Sequence, residues 1–442
     1  MGKKFVLIGA GSYVFTRNLV RDILSFPAFQ DATIALVDID DHGLAFSRRA
    51  VQGIIDAGNY PAKVIATKER REVLPGADGV LCMLMAQPLS VFRRDLEICL
   101  EHGVPINVGD TRNPAGIFRY LRTVPVMLDL LRDIEELCPG AVFLNYTNPM
   151  AMLCRAMQEV APDVMTTGLC HSVQGTAEKI AKIVGVPYAE MDYLCAGINH
   201  MAYYLKLEHN GKDLYPALRK ATLESREIYE QDIVRNEMFL ATGYYVTESS
   251  GHFSEYSPWF RKRIDTLHKY CYRGTSWNTG RTNFTIELRE ERLRNMDADL
   301  EKFLTEPMDL SRGNEYAAYI FNAIIGDGTQ YSFNGNVRNF GLIDNLPSGA
   351  CVEVPVTASP NGLTPHPVGS IPAAVLPLMC LTSQLEEMVV ASSLHDDPEL
   401  IYQAMIYDPL ASAILDLREI RALTDDLFEF SKPWLTQYHH LK

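Results

Sequence analysis

Long apolar runs are missing from this sequence: none reaches the ~18 residues that a membrane-spanning helix needs, although 47% of its 442 residues are hydrophobic. Positive charge is also short, with 41 Lys and Arg against 55 Asp and Glu and a formal net charge of −14. Spread without long like-charge runs, that balance speaks against nucleic acid or an anionic membrane as partner. The nine cysteines, scattered from Cys82 to Cys380 with no close pairing, exclude a disulfide framework and a structural zinc site; most read as small buried hydrophobes. Met1-Gly2-Lys3-Lys4 is not expected to open a signal peptide, because Gly9 and Gly11 break the apolar stretch behind it and no cleavage site follows. Val6 stands where a myristoylation signal wants Ser or Thr. Internal repeats, low-complexity tracts and flexible linkers are missing too. A cytoplasmic enzyme is the expectation.

What is present begins with a strand-like run, Phe5-Val6-Leu7-Ile8, followed by Gly9-Ala10-Gly11-Ser12 and a helix-like Asn18–Leu24. A tight glycine turn of this kind lets backbone N–H groups and a helix N-terminus approach a pyrophosphate. Gly9 and Gly11 fit the first two glycine positions and Ser12 follows them, but the third position is Val14, so the fingerprint is incomplete. A second run, Thr33–Val37, leads into Asp38, where an acidic side chain accepts hydrogen bonds from the adenosine ribose. A carboxylate there repels a 2′-phosphate. NAD rather than NADP is therefore the expected cofactor.

Strand-like segments at Lys63–Ala66, Gly79–Met85, Pro105–Val108, Ala141–Tyr146 and Val164–Leu169 alternate with helical ones such as Gly43–Ala57. This predicts an α/β fold, a Rossmann-like doubly wound parallel sheet of the lactate/malate dehydrogenase type, over residues 1–195. Over 196–442 long amphipathic helices are expected at Tyr215–Ala241, Phe284–Phe303, Ala373–Ser392 and Leu417–Phe430, with β-like segments at Tyr193–Leu207 and Ala350–Val356. These make a second, mixed α/β domain. The two are expected to share a large interface with the site between them.

Three segments carry chemistry. Gly168-Leu169-Cys170-His171-Ser172-Val173 stands where a strand should end, at the edge where open α/β sheets place ligands, and Gly197-Ile198-Asn199-His200 ends another turn. A thiolate and an imidazole form half a shell for a divalent transition metal with open positions; a buried cysteine and a satisfied core histidine are the plainer reading of the same two residues. Asn148, held out of helical conformation by Pro149, aims its amide at a nicotinamide or a substrate hydroxyl, or merely shapes a turn. The stretch from Thr247 to Phe260 concentrates polar, titratable and aromatic groups in one loop-like segment, with plain aromatic core as the other reading of Tyr256 and Trp259. The first half alone also fits a lactate/malate-type dehydrogenase, but the His–Asp relay and paired arginines of that class do not stand out. A catalytically silent NAD-binding sensor is a third alternative.

Taken in order, Gly9-Ala10-Gly11-Ser12, Asn148-Pro149-Met150, Cys170-His171-Ser172-Val173, Gly197-Ile198-Asn199-His200 and His252-Phe253-Ser254-Glu255-Tyr256 resemble the NAD-dependent glycosidases of glycoside hydrolase family 4. Gly335-Asn336-Val337-Arg338-Asn339 and the run from Gly341 to Pro347 look like the bacterial α-galactosidases of that family. The resemblance covers essentially the whole chain.

It implies an exception to the two-carboxylate scheme of glycoside hydrolysis. NAD takes hydride from C3 of the sugar, the ketone acidifies the C2 proton, a base removes it, and the aglycone leaves C1 by elimination. Water then adds and the hydride returns. By resemblance Cys170 and His200 hold Mn²⁺, and Tyr256 is the base, its pKa depressed by the metal or by a cation such as Arg261. His171 protonates the leaving group, with Asp110 as the alternative. Asn148 contacts both cofactor and substrate, and Asn199, Arg112 and His252 contact substrate. A small unphosphorylated α-galactoside such as melibiose is the implied substrate, and a homodimer or homotetramer the implied assembly. One departure is the segment Asp110-Thr111-Arg112-Asn113-Pro114-Ala115-Gly116, where the family's α-galactosidases carry a glycine-rich loop after Asp-Thr. Arg112 adds a cation there, which leaves an α-galacturonidase or α-glucuronidase open, beside an α-glucosidase.

Overall fold

The computed structural model describes residues 2–439. Six parallel strands lie at its centre: β1 (Lys4–Ile8), β2 (Thr33–Val37), β3 (Lys63–Thr67), β4 (Gly79–Cys82), β5 (Val142–Asn145) and β6 (Thr166–Gly168), in the order β3-β2-β1-β4-β5-β6. The order reverses between β1 and β4, so the ligand crevice of a doubly wound sheet lies outside the carboxyl ends of these two strands. Phe5, Val6, Leu7, Ile34, Ala35 and Leu36 are fully buried, as strands covered on both faces must be.

A separate antiparallel sheet follows, made of β7 (Met191–Ala196), β8 (Tyr203–His209) and β9 (Lys212–Asp213). The expected β segment Tyr193–Leu207 is thus two strands, and the turn between them carries Asn199 and His200. Further along, β10 (Tyr331–Arg338), β11 (Cys351–Ser359) and β12 (Gly362–Pro365) add antiparallel to β6 and extend the central sheet to nine strands. The join rests on one pair, Asn336 with Gly168, and the Asn336 amide donates to Gly168 O at 3.2 Å. Both halves of the sequence therefore build one sheet. Helices from beyond residue 196 pack on each face: Val389 and Leu427 join Val6, Val80 and Phe143 in one core, and Phe321 joins Phe5, Leu7 and Leu144 in the other. No helix among the described residues is long and apolar enough to cross a membrane.

Two expected elements are absent, each for a visible reason. Pro105–Val108 is not a strand, because its backbone donors are taken by a side chain. Asn107 N and Val108 N donate to Glu255 Oε2 at 2.7 and 2.9 Å, and Gly109 N donates to Glu255 Oε1 at 2.9 Å. The expected helix Tyr215–Ala241 is three helices, Tyr215–Glu224, Arg226–Gln231 and Ile233–Thr242. It breaks at Ser225, whose extended backbone and hydroxyl start a new helix, and at Asp232, whose carboxylate is drawn to Lys179, Arg235 and Ser250. The other long helices run Phe284–Thr305, Leu376–His395 and Leu417–Ser431.

Glu255 is fully buried, and hydrogen bonds to a charged group contribute more than neutral ones. Replacing it by Ala strands three backbone N–H groups, so Glu255→Ala is expected to lower the unfolding free energy by about 3 kcal/mol or more. Urea denaturation of the two proteins checks this.

Candidate active site

At the end of β1, Gly9 adopts φ +81°, and a Cβ there would stand 2.5 Å from Leu84 Cα in the segment after β4. Only glycine fits that approach. Gly11 N donates to Asp38 Oδ2 at 2.7 Å, which holds the carboxylate at the tip of β2 against the turn. Ser12 precedes the helix Tyr13–Leu24 with no side-chain cap and no acidic residue in the first turn, so the N–H groups there suit an anion. Val14 does not occupy the packing position of a third glycine, since its side chain is 42% exposed. Gly43 makes the corresponding close approach from the helix Asp41–Gly58, where a Cβ would lie 3.0 Å from Gly11 Cα. This cradle fits a dinucleotide.

Across the crevice, Cys170, His200 and Glu248 bring Sγ, an imidazole nitrogen and a carboxylate oxygen within 4.8 Å of one another, all buried. His200 Nε2 is 3.3 Å from Cys170 Sγ and 3.4 Å from Glu248 Oε2. His200 reaches this point from an unusual backbone conformation, φ +61°, in the β7–β8 turn. A second group, Asp110, His200 and His252, shares the same imidazole. On the other ring nitrogen, His200 Nδ1 lies 3.1 Å from Thr111 Oγ1 and 3.4 Å from Tyr256 Oη. Sulfur, nitrogen and carboxylate donors converging in a buried pocket fit a divalent transition ion.

The protonation states follow from burial and near neighbours. Burial pushes His200 down to about 4, against the pull of Glu248, and leaves it neutral and able to ligate. Burial opposes ionisation of Glu248, yet His252 and His200 hold it down at about 2. His252 lies 3.2 Å from Glu248 and 3.8 Å from Asp110; burial works against its proton, and these two carboxylates raise its pKa. Asp110 is in turn lowered, mainly by His252 and Arg119 against burial. Burial and the charges of Glu248 and Glu353 push the Cys170 thiol up, a penalty that a bound cation reverses.

Tyr256 is fully buried, and burial with Asp110 and Glu255 raises its pKa. The cation beside it is Arg112, whose guanidinium sits 5.0 Å from the ring centroid. Arg261 serves elsewhere: it donates to Pro105 O at 2.6 Å, to Ser254 Oγ at 3.1 Å and to Gly280 O. Arg112 also donates to Asn199 O at 2.6 Å and pairs with Glu386 at 3.0 Å. Asn113 beside it takes φ +64° and accepts from Ala115 N and Gly116 N, which starts the helix Asn113–Leu137. His171 stands outside both clusters: its side chain is 71% exposed and 4.0 Å from Glu315. Asn148 Oδ1, both polar atoms of the Asn199 amide, and Nε and Nη1 of Arg112 are buried without a protein partner. Such orphaned groups suit a polyhydroxylated ligand.

Residues 4–186 match the model of the family 4 glycosyl hydrolases, and residues 195–411 match that of the family 4 glycosyl hydrolase C-terminal domain. The chain belongs to family 4 of the glycosyl hydrolases. It is 35% identical over 443 residues to an α-galactosidase of Rhizobium meliloti (strain 1021), covering 99% of this chain and 90% of that one. It is 34% identical over 452 residues to an α-galactosidase of Bacillus subtilis (strain 168), covering 99% and 100%. Among solved structures, a 6-phospho-α-glucosidase from gut microorganisms in complex with NAD and Mn²⁺ superposes with a TM-score of 0.79 at 20% identity, over 98% of this chain and 99% of that one.

Two acidic residues of this family 4 site were not singled out from the sequence. Glu248 sits within the polar stretch already noted, four residues before His252, so its spacing was the available signal. Glu353 is an acidic residue in the otherwise apolar run Cys351-Val352-Glu353-Val354 of β11. Its backbone pairs with Gly197 through bonds of 3.0 and 2.8 Å, which ties β11 to the turn bearing Asn199 and His200. Its carboxyl is 0% exposed, both oxygens lack partners, and burial with the charge of Glu248 pushes it up to about 8.

The folded chain keeps Glu353 protonated up to about 8, whereas its ordinary value is 4.5. Between those values the folded state binds more protons than the unfolded one. This group's contribution to stability therefore falls as pH rises through that window, by up to ~1.4 kcal/mol per unit. Glu353→Gln is expected to flatten this dependence and to melt above the wild type near pH ~8; melting curves at several pH values check it.

Proposed function

We propose that this chain hydrolyses small unphosphorylated α-galactosides of the melibiose type, with NAD and Mn²⁺ as cofactors. The observation that carries the reading is the convergence of Cys170, His200 and Glu248 beside Tyr256, across the crevice from the Gly9–Asp38 cradle. The α-galactosidase relatives at 35% and 34% identity support the substrate class, and the NAD- and Mn²⁺-bound neighbour supports the cofactors. When bound, NAD supplies a reversible hydride acceptor and the metal ion a Lewis acid.

The protein groups then have separable tasks. Asn148, Asn199 and Arg112 hold sugar hydroxyls with their unpartnered atoms. Tyr256 Oη takes the proton from C2, and Arg112 beside its ring favours the phenolate. His252, charged between Glu248 and Asp110, gives its proton to the departing oxygen and recovers one from the water that adds. Asp110 rather than the exposed His171 is the partner in that relay. Residues 1–195 serve as the cofactor half and also supply Cys170, Asn148 and Arg112, while 196–442 supply His200, Glu248 and Asn199. Cytoplasmic residence and assembly as a homodimer or homotetramer accompany the reading by family resemblance.

A uronic acid substrate is favoured by one observation. Arg119 and Arg289 both lie over the Phe92 ring, at 4.9 and 5.7 Å, and neither has an ion-pair partner within 4.0 Å among the described residues; burial and Arg289 push Arg119 down to about 10. Comparing turnover of an α-galactoside and an α-galacturonide separates the two readings.

With melibiose in D₂O, NAD and Mn²⁺, the expected product is galactose carrying deuterium at C2, with no net NADH. Hydrolysis that persists without NAD and leaves C2 unlabelled overturns the proposal. Glu248→Gln is expected to weaken Mn²⁺ binding at least ~10-fold, since it removes a charged donor of the cluster; calorimetric titration measures this.

A further inference from the structure

A cavity of about 350 Å³, whose lining includes none of Cys170, His200 and Glu248, lies between the helix Ser172–Val184, β7, β10 and the helix Tyr316–Ile325. Its volume falls within the ~300–1,000 Å³ of small-molecule sites. Because β10 runs antiparallel to β6 with Asn336 opposite Gly168, residues 331–334 extend past the carboxyl end of β6. That edge is where open α/β sheets take ligands.

Its walls are aromatic and flat. Tyr319 and Tyr331 stack at 4.7 Å with planes 15° apart, and Tyr331 and Phe333 follow at 6.4 Å and 10°. Gln174, one turn into its helix, lines the cavity at 4% exposure, and neither its amide oxygen nor its amide nitrogen has a partner. Leaving both halves of a buried amide unmet is costly. A ligand that satisfies it must offer a donor and an acceptor side by side, as adjacent hydroxyls do. Among the described residues the one charged lining group is Glu178, which accepts from Asn314 Nδ2 at 3.0 Å, and no described lining residue is a cation that would attract an anion. The partly exposed rings of Tyr188, Tyr193 and Tyr331 suit the C–H face of a sugar ring, and the amide and carboxylate suit its hydroxyls.

We propose that this cleft is a second saccharide site, distinct from the Cys170–His200–Glu248 cluster and selective for a neutral sugar unit. It stands independently of which glycoside the chain cleaves.

Raffinose is the probe, titrated against the full chain in an Asn148→Ala/Asn199→Ala background that removes sugar contacts of the catalytic pocket, with metal chelated so that no turnover occurs and contact read by saturation-transfer NMR. Gln174→Met, which keeps the volume but not the hydrogen bonds, and Tyr331→Ala are expected to weaken raffinose at least ~10-fold. Glu248→Gln is expected to leave this binding in place. Both cleft variants, each made alone in the wild-type chain, are expected to keep kcat/KM on a nitrophenyl α-galactoside within ~2-fold of the wild type, because among the described residues neither side chain bonds to Cys170, His200 or Glu248. Raffinose affinity within ~2-fold of wild type in Gln174→Met overturns the proposal. So does a change of oligomeric state in Tyr331→Ala by light scattering, which marks the cleft as a subunit contact.

Discussion

The Glu255 carboxylate organises the site. Three consecutive backbone N–H groups, from Asn107 to Gly109, point at its two oxygens. The segment they hold leads directly into Asp110, Thr111 and Arg112. The helix that ends at Glu255 carries His252, and Tyr256 follows it. One buried side chain thus joins two stretches of chain about 146 residues apart and brings their chemistry face to face. Arg261 reinforces the clamp from the other side through Pro105 O and Ser254. Without that clamp, Tyr256 and Asp110 would have no reason to share a pocket with His200.

The pocket so formed contains an unusual density of buried charge. Glu248, His252 and Asp110 alternate in sign, and each is displaced from its ordinary titration in the direction that keeps its neighbour ionised. Arg112 is balanced by Glu386. Against this pattern Cys170 stands out, a thiol that burial first and the Glu248 carboxylate second keep protonated. The thiol is neutral as it stands, and a bound cation would favour its thiolate. The donor geometry fits such a cation.

Much of this was legible in the sequence. The glycine turn, Asp38 and the alternating strands carry their own local logic, since a tight turn needs residues without side chains and a buried parallel strand needs a short apolar run. The incomplete fingerprint was also a true signal: Val14 points outward, and Gly43 on the next helix makes the close approach instead. Cys170 and His200 were identifiable only as candidates, because thirty residues of separation say nothing about distance. Glu248 was hidden because one more acidic residue in a polar stretch carries no mark of direction. Arg112 and Arg261 were both visible as cations, but which of them faces Tyr256 depends on how the 105–112 segment folds back.

The sequence by itself determined the glycine turn after the first strand, the parallel sheet and the types of side chain available for catalysis, because those follow from short-range sterics and hydrophobic periodicity. Tertiary structure alone decided that β10 to β12 complete the first half's sheet, that Pro105–Val108 yields its donors to a carboxylate, and that Glu248 and Glu353 lie beside the cluster. These outcomes depend on long-range pairing of buried polar groups. A group's partner is chosen by where the whole chain brings it, and low-dielectric surroundings make that choice decisive.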